Sequence, residues 1–219
     1  MLLKINLHSL IGALKMNFKR KNIEFAVAIG LVFAVFLSMA RFDAACEDLR
    51  TNVLRLHIIA NSDSKEDQAL KLAVRDRILE NSGDIFKDST TLEDAEKSAI
   101  DSLQRFEEIA NRVIAENNFD YGCKAEVSDS YFENREYDDF TLPAGTYRSL
   151  IIRLGEAKGK NWWCVVFPTV CIPAAGEASL ADSTDKVSAD VAMQPQKYVV
   201  RFKTVEIYED IKHYISEKI

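Results

Sequence analysis

Val53-Leu54-Arg55-Leu56-His57-Ile58-Ile59-Ala60, followed at once by Asn61-Ser62-Asp63-Ser64, decides how this 219-residue chain is read. The first eight residues are aliphatic and β-branched, the composition of a strand. Alternation places Leu54, Leu56, Ile58 and Ala60 on one wholly apolar face, which is expected to meet the core. Val53, Arg55, His57 and Ile59 take the other face. The next four residues are turn and cap formers. Asp63 with Glu66 has the form of a capping box, so a helix is expected to open there. Ala69, Leu70, Ala73, Val74, Arg77 and Ile78 keep helical spacing, which predicts a helix to about Asn81 with Gly83 as its stop.

Working outward, Leu92, Ala95, Ala99, Leu103, Phe106, Ala110, Val113 and Ile114 recur at threes and fours, which predicts a second, single helix ending near Asn117-Asn118. The period then changes to two. Residues 121–131, 147–154 and 162–167 read as strands, with Leu142-Pro143-Ala144-Gly145 as a turn and Pro168 as a stop. Residues 174–190 are small and polar and are expected to form a mobile loop or insertion. Residues 198–207 read as a strand or the start of a helix, and the tail as a short charged helix. The order predicts an α+β fold: a mixed or mainly antiparallel sheet with two long helices packed on it, preceded by an N-terminal hydrophobic helix.

That first helix is a separate segment. Lys15, Lys19, Arg20 and Lys21 precede the uncharged run FAVAIGLVFAVFLSMA, residues 25–40, the pattern of an export signal. Sixteen helical residues span about 24 Å against a hydrocarbon core of about 30 Å. Residues 1–40 are therefore read as a cleaved signal peptide or, counting from Ile23, as a membrane anchor over 23–40. Cys46 after Ala44-Ala45 hints at lipidation, although Asp43 sits where an aliphatic residue belongs. The charge bias places residues 41–219, read as one extracytoplasmic domain, outside the cytoplasm. That part carries 23 Lys/Arg against 33 Asp/Glu, which disfavours nucleic acid and leaves the N-terminal segment as the expected membrane contact.

Cys46, Cys123, Cys164 and Cys171 allow three complete pairings. Fully extended, the seven residues from Cys164 to Cys171 would span about 23 Å, so a bridge between them needs the chain to reverse at Phe167-Pro168-Thr169. That staple is the expectation. The alternative is an extracytoplasmic thiol hydrolase with Cys164 as nucleophile and His57 as base, although an apolar run raises a thiol pKa and no third orienting group is apparent. His8, His57 and His213 are too scattered for a zinc site, and no metal or cofactor is expected.

The remaining candidates are for partner contact. Trp162 and Trp163 point to opposite faces of a strand. One fills the core and the other reaches a partner beside Lys160 and Asn161, or both pack inside. The Gly155–Lys160 segment is a hairpin loop or a backbone nest for an anion. Asn61, Ser62 and Asp63 follow a strand and open a helix, where ligands often sit, or they form a plain N-cap.

Several blocks together resemble the stage II sporulation protein R family: residues 57–64 (HIIANSDS) continuing through Asp67-Gln68-Ala69-Leu70-Lys71 to Asp76; Leu142-Pro143-Ala144-Gly145-Thr146-Tyr147; Gly159-Lys160-Asn161-Trp162-Trp163-Cys164 with Phe167-Pro168 and Cys171; and Val200-Arg201-Phe202-Lys203. The resemblance runs from about Leu54 to about Lys212. It implies export from the forespore of a sporulating Gram-positive bacterium into the space between forespore and mother-cell membranes. It further implies a non-enzymatic role there: triggering a membrane-embedded aspartic protease of the mother cell that processes the sigma-E precursor. Asn61, Ser62, Asp63, Lys160, Asn161, Trp162 and Trp163 are the residues expected to meet that partner.

Overall fold

The computed structural model describes residues 7–137, 140–168, 184–216 and 218. The chain divides into two units, Met1–Asp43 and Ala44–Ile219. Helix α1 (Leu7–Thr51) runs through the boundary, and within it Lys21–Thr51 is long and apolar enough to cross a membrane. Phe25, Phe33 and Phe36 are exposed along it, as suits a helix whose solvent is lipid.

The second unit is built on β1 (Leu54–Ile59). Helices α2 (Lys65–Phe86), α3 (Leu92–Asp101) and α4 (Leu103–Glu116) follow. Next come strand β2 (Cys123–Phe132), the two-residue pair β3 (Arg135–Glu136) and β4 (Thr141–Leu142), and strands β5 (Gly145–Leu154) and β6 (Asn161–Phe167). Helix α5 (Lys186–Met193), a 3-10 turn at Pro195–Lys197 and α6 (Val199–Ser216) close the described chain. The main sheet has the order β2-β5-β1-β6, with β1 and β5 parallel and the other two pairings antiparallel. The fold is thus α+β with a mixed sheet.

Leu54, Leu56 and Ile58 are fully buried against Leu70, Val74 and Ile78 of α2, Ala95 and Ala99 of α3, and Phe106, Ala110 and Val113 of α4. Three departures from the sequence reading have local causes, and one open reading is decided. Helix α2 passes Gly83 and ends at Phe86, because Phe86 is buried and stacks on Phe106, with ring centroids 6.4 Å apart. That burial outweighs the roughly 1 kcal/mol cost of a helical glycine. The predicted single helix is two helices meeting at Ser102, but Ala99 and Phe106 lie seven residues apart, two helical turns, so the apolar stripe keeps its phase. Residues 198–207, read as a strand or the start of a helix, take the helical alternative, since Phe202, Val205 and Glu209 of α6 are buried at spacings of three and four. Residues 186–190, read as part of a loop, open α5 beneath the Asp185 cap, whose carboxylate accepts from Val187 N and Ser188 N.

The other face of β1 is covered as well. Val53 and Arg55 are fully buried, and His57 is half-buried. The Leu142-Pro143-Ala144-Gly145 turn is locked on this side. Ala144 O accepts from Arg50 Nη1 at 3.0 Å, Ala144 N donates to Asn134 Oδ1 at 2.6 Å, and Tyr147 OH donates to Pro143 O at 2.6 Å. Gly145 has φ 146°, and a Cβ there would strike the Arg50 side chain, so only glycine fits.

Candidate functional site

Beyond the end of β1 the chain ties three segments into one corner. Asn61 Nδ2 and Ser62 Oγ donate to Asp67 Oδ2 at 3.0 and 2.5 Å, and Tyr121 OH donates to Asp67 Oδ1 at 2.5 Å. The helix cap is Ser64, not Asp63: Ser64 Oγ accepts from Asp67 N at 3.1 Å. Asp63 faces the other way, its Oδ1 accepting from Lys160 N at 2.7 Å. Burial pushes the Asp67 carboxyl up, but hydrogen bonds from Ser62, Tyr121 and Asn61 outweigh it and hold Asp67 below the ordinary carboxylate range. Burial, then the Asp67 carboxylate, raises the Tyr121 hydroxyl far above its usual value.

Residues 155–160 are not a hairpin loop, because β1 lies between β5 and β6. The segment arches over the end of β1. Its N–H groups are already spent within the chain: Glu156 N on Asn61 Oδ1, Lys158 N on Asn61 O, Gly159 N on Ala60 O and Lys160 N on Asp63 Oδ1. The anion nest considered from sequence is filled by the protein's own oxygens. A Cβ on Gly159 would run into the Ser62 carbonyl. Beneath the arch, the buried Lys71 Nζ donates to Gln68 Oε1 at 2.7 Å and Lys160 O at 2.9 Å. Burial lowers the Lys71 pKa, against the opposing charge of Asp63. The Lys160 and Asn161 side chains remain exposed at the rim.

Trp162 and Trp163 take opposite faces of β6, and both are half-buried. Trp162 packs on the helical core with the Arg75 guanidinium 4.5 Å from its ring centroid. Trp163 lies on the other face, 6.0 Å from the His57 ring and 5.9 Å from Phe132, with Arg135 5.1 Å above it. The structure therefore gathers Asn61, Ser62, Asp63, Lys160, Asn161 and Trp162 at one end of the sheet, while Trp163 looks out from its reverse side.

The thiol hydrolase pairing does not assemble. Cys164 is paired with Leu56 and His57 with Trp163, so alternation puts Cys164 in the helical core and His57 on the opposite face. Burial lowers the His57 pKa and the Arg153 and Arg55 charges lower it further, against an opposing pull from the neighbouring Asn161. Cys171 lies outside the described residues, and with it the Cys164–Cys171 staple. Among the described residues no cluster of His, Cys, Asp and Glu is suited to hold a metal.

A family model described as stage II sporulation protein R matches residues 50–177, from the last turn of α1 past the end of β6. The chain belongs to the stage II sporulation protein R family. It is 32% identical over 154 residues to the stage II sporulation protein R of Bacillus subtilis (strain 168), covering 66% of this chain and 69% of that protein. No solved structure matches it. The family span holds the corner, the Pro143–Gly145 clamp and β6, but not the Val200–Lys203 block, which belongs to α6. For a stage II sporulation protein R the geometry gives most of these motif residues a structural role. Asp67 and Lys71 bind the corner, Gly159 permits its closure, and Gly145 makes room for Arg50.

Sequence reasoning missed Arg55. Its signal was an arginine in the middle of an otherwise aliphatic strand. It is fully buried, with its guanidinium carbon 3.8 Å from the Phe132 ring centroid and 4.8 Å from that of Tyr147. Nη2 donates to Tyr137 OH at 2.7 Å, while Nε and Nη1 have no hydrogen-bond partner among the described residues.

Proposed function

We propose that this chain is an extracytoplasmic signalling protein of sporulation. It activates a membrane-embedded aspartic protease across the space between forespore and mother cell, and so triggers processing of the mother-cell sigma-factor precursor. Membership of the stage II sporulation protein R family carries the reading. The apolar α1 supports it by supplying a signal peptide or anchor for export. The separation of Cys164 from His57 supports a ligand in place of a hydrolase.

The contact is assigned to the corner: Asn61, Ser62 and Asp63 as the rigid support, Lys160 and Asn161 as the exposed tip, and Trp162 and Trp163 as the flanking aromatics. A pre-organised, hydrogen-bonded tip gives binding with little ordering cost. A second exposed surface, Val200, Ile207, Tyr208 and Ile211 on α6, is another apolar patch suited to a protein partner.

The test is co-expression of the full chain with the protease and its precursor substrate in a non-sporulating host. Wild type should give precursor cleavage. Lys160→Glu with Asn161→Ala, which alter only exposed side chains, should abolish cleavage while export and the melting temperature stay unchanged. Full cleavage by that double variant, with loss in Ile207→Asp, moves the contact to α6. No cleavage with wild type, when all three proteins are present in the membrane fraction, overturns the activation reading.

A further inference from the structure

Arg55 is a buried charge with no counter-charge among the described residues. It is 0% exposed, and no acid among the described residues pairs with it. A guanidinium cannot shed its proton on burial as a lysine does, so the usual escape from a buried charge is closed. The two aromatic faces compensate in part, since Phe132 and Tyr147 both present their electron-rich rings to it. They do not satisfy the N–H groups on Nε and Nη1. Leaving such donors dry costs more than a neutral donor would.

The surroundings repeat the same deficit. Trp163 Nε1, on the same face of the sheet, is also buried without a partner. Phe132 bridges the two, its ring 3.8 Å from the Arg55 guanidinium carbon and 5.9 Å from the Trp163 ring. Above Trp163 stands Arg135, a second arginine with no ion pair among the described residues. Arg55 is the floor of this arrangement. His57, Trp163, Arg135 and Tyr137 are half-exposed and form its rim, so the floor lies one side chain below solvent. Unpartnered donors stand on either side of Phe132, two cations flank flat aromatic walls, and no carboxylate of the described residues pairs with them.

We propose that this chamber is a binding site for a carboxylate, which an unpartnered Arg55 N–H and the Trp163 indole N–H hold beside the Phe132 ring. A single planar, singly charged group fits one guanidinium between aromatic faces, the geometry in which arginine recognises carboxylates. The carboxylate comes from an acidic side chain of an extended partner segment or from a free small carboxylate. The site lies on the reverse side of β6 from Trp162 and does not depend on the activation reading above.

The test uses the full chain, 15N-labelled, in detergent micelles. The probes are sodium acetate, the peptide acetyl-Ala-Glu-Ala-amide and its neutral counterpart acetyl-Ala-Gln-Ala-amide. The two indole N–H resonances are the readout, and Trp162 on the opposite face is the internal control. The Trp163 resonance should move saturably with the glutamate peptide and with acetate, while the Trp162 resonance stays still and the glutamine peptide does nothing. Arg135→Gln, a half-exposed rim change that leaves the floor intact, should weaken the response about 3–10-fold. Arg55→Gln should abolish it; if that variant fails to fold, the rim variant and the glutamine peptide still decide. Tighter binding of the peptide than of acetate assigns the site to a partner segment, and equal binding assigns it to small carboxylates. Equal shifts from the glutamate and glutamine peptides, or no shift from any carboxylate, overturn the proposal and leave Arg55 to buried water.

Discussion

His57 and Cys164 stand on opposite faces of the central sheet, because Cys164 lies beside Leu56 and His57 beside Trp163 in the antiparallel pairing of β1 with β6. A base on one face cannot take a proton from a thiol on the other. Alkylation of Cys164 by iodoacetamide in the reduced protein should therefore be slow, and His57→Ala should leave its rate within about twofold of wild type. Mass spectrometry of the labelled peptides measures this. A large drop in rate on removing His57 would restore the hydrolase reading.

Asp67 holds the corner together. Asp67→Asn replaces an acceptor oxygen with a donor where Asn61, Ser62 and Tyr121 all donate. A loss of about 2–3 kcal/mol at neutral pH is expected for hydrogen bonds to a buried charged acceptor. The pH dependence has a definite sign. Because Asp67 is held below its unfolded pKa, its contribution is present above that value and is lost as pH falls through the lower, folded one. Wild type and Asp67→Asn should therefore converge in stability below about pH 4, in denaturant melts taken across the acid range. A gap that stays constant to low pH would show that the carboxylate charge is not what matters.

Much of this fold was legible because burial leaves a periodic trace. Leu54, Leu56 and Ile58 alternate, Leu70, Val74 and Ile78 recur at fours, and the mixed α+β order followed. Three things were not legible. The break at Ser102 keeps the stripe in phase, so no periodic signal marks it. The position of β1 between β5 and β6 is a matter of strand order, which local pattern does not encode; it turned an apparent hairpin into an arch. Asn61 and Asp63 read as a helix cap or a ligand-facing turn, yet their oxygens are spent on Glu156 N and Lys160 N, contacts 95 and 97 residues away in sequence.

Gly159 tests whether that arch is obligatory. It has no need of glycine's backbone freedom, only of the missing side chain, since a Cβ would collide with the Ser62 carbonyl. Backbone cannot swing aside as a side chain does. Gly159→Ala should cost about 1–3 kcal/mol, read as a lower melting temperature. It should also reduce precursor cleavage in the co-expression assay by distorting the Lys160–Asn161 tip. Unchanged melting with unchanged cleavage would mean that the arch shifts freely and that the corner is not a rigid support.

Cys123 offers a check at alkaline pH. Burial, with the Glu107 charge beside it, pushes its thiol up to about 11, and its Sγ donates to Glu107 O at 3.4 Å. Unfolding lowers that pKa toward 9.0, so above about pH 9 the unfolded chain sheds a proton that the folded chain keeps. Stability should hence be flat on this account below pH 9 and decline above it, and Cys123→Ser should remove the part of the decline that sets in before the tyrosines begin to ionise. Tyr121, Tyr131 and Tyr147 are also raised, from an ordinary value of 10.0, so the difference between wild type and Cys123→Ser is read between about pH 9 and 10, before they ionise. Alkylation of Cys123 in the folded protein should rise about tenfold per pH unit across the same window, as its thiolate fraction does. A rate already at its plateau by pH 9 would place the thiol in an open, water-filled site and remove it from the core that α4 and β2 share.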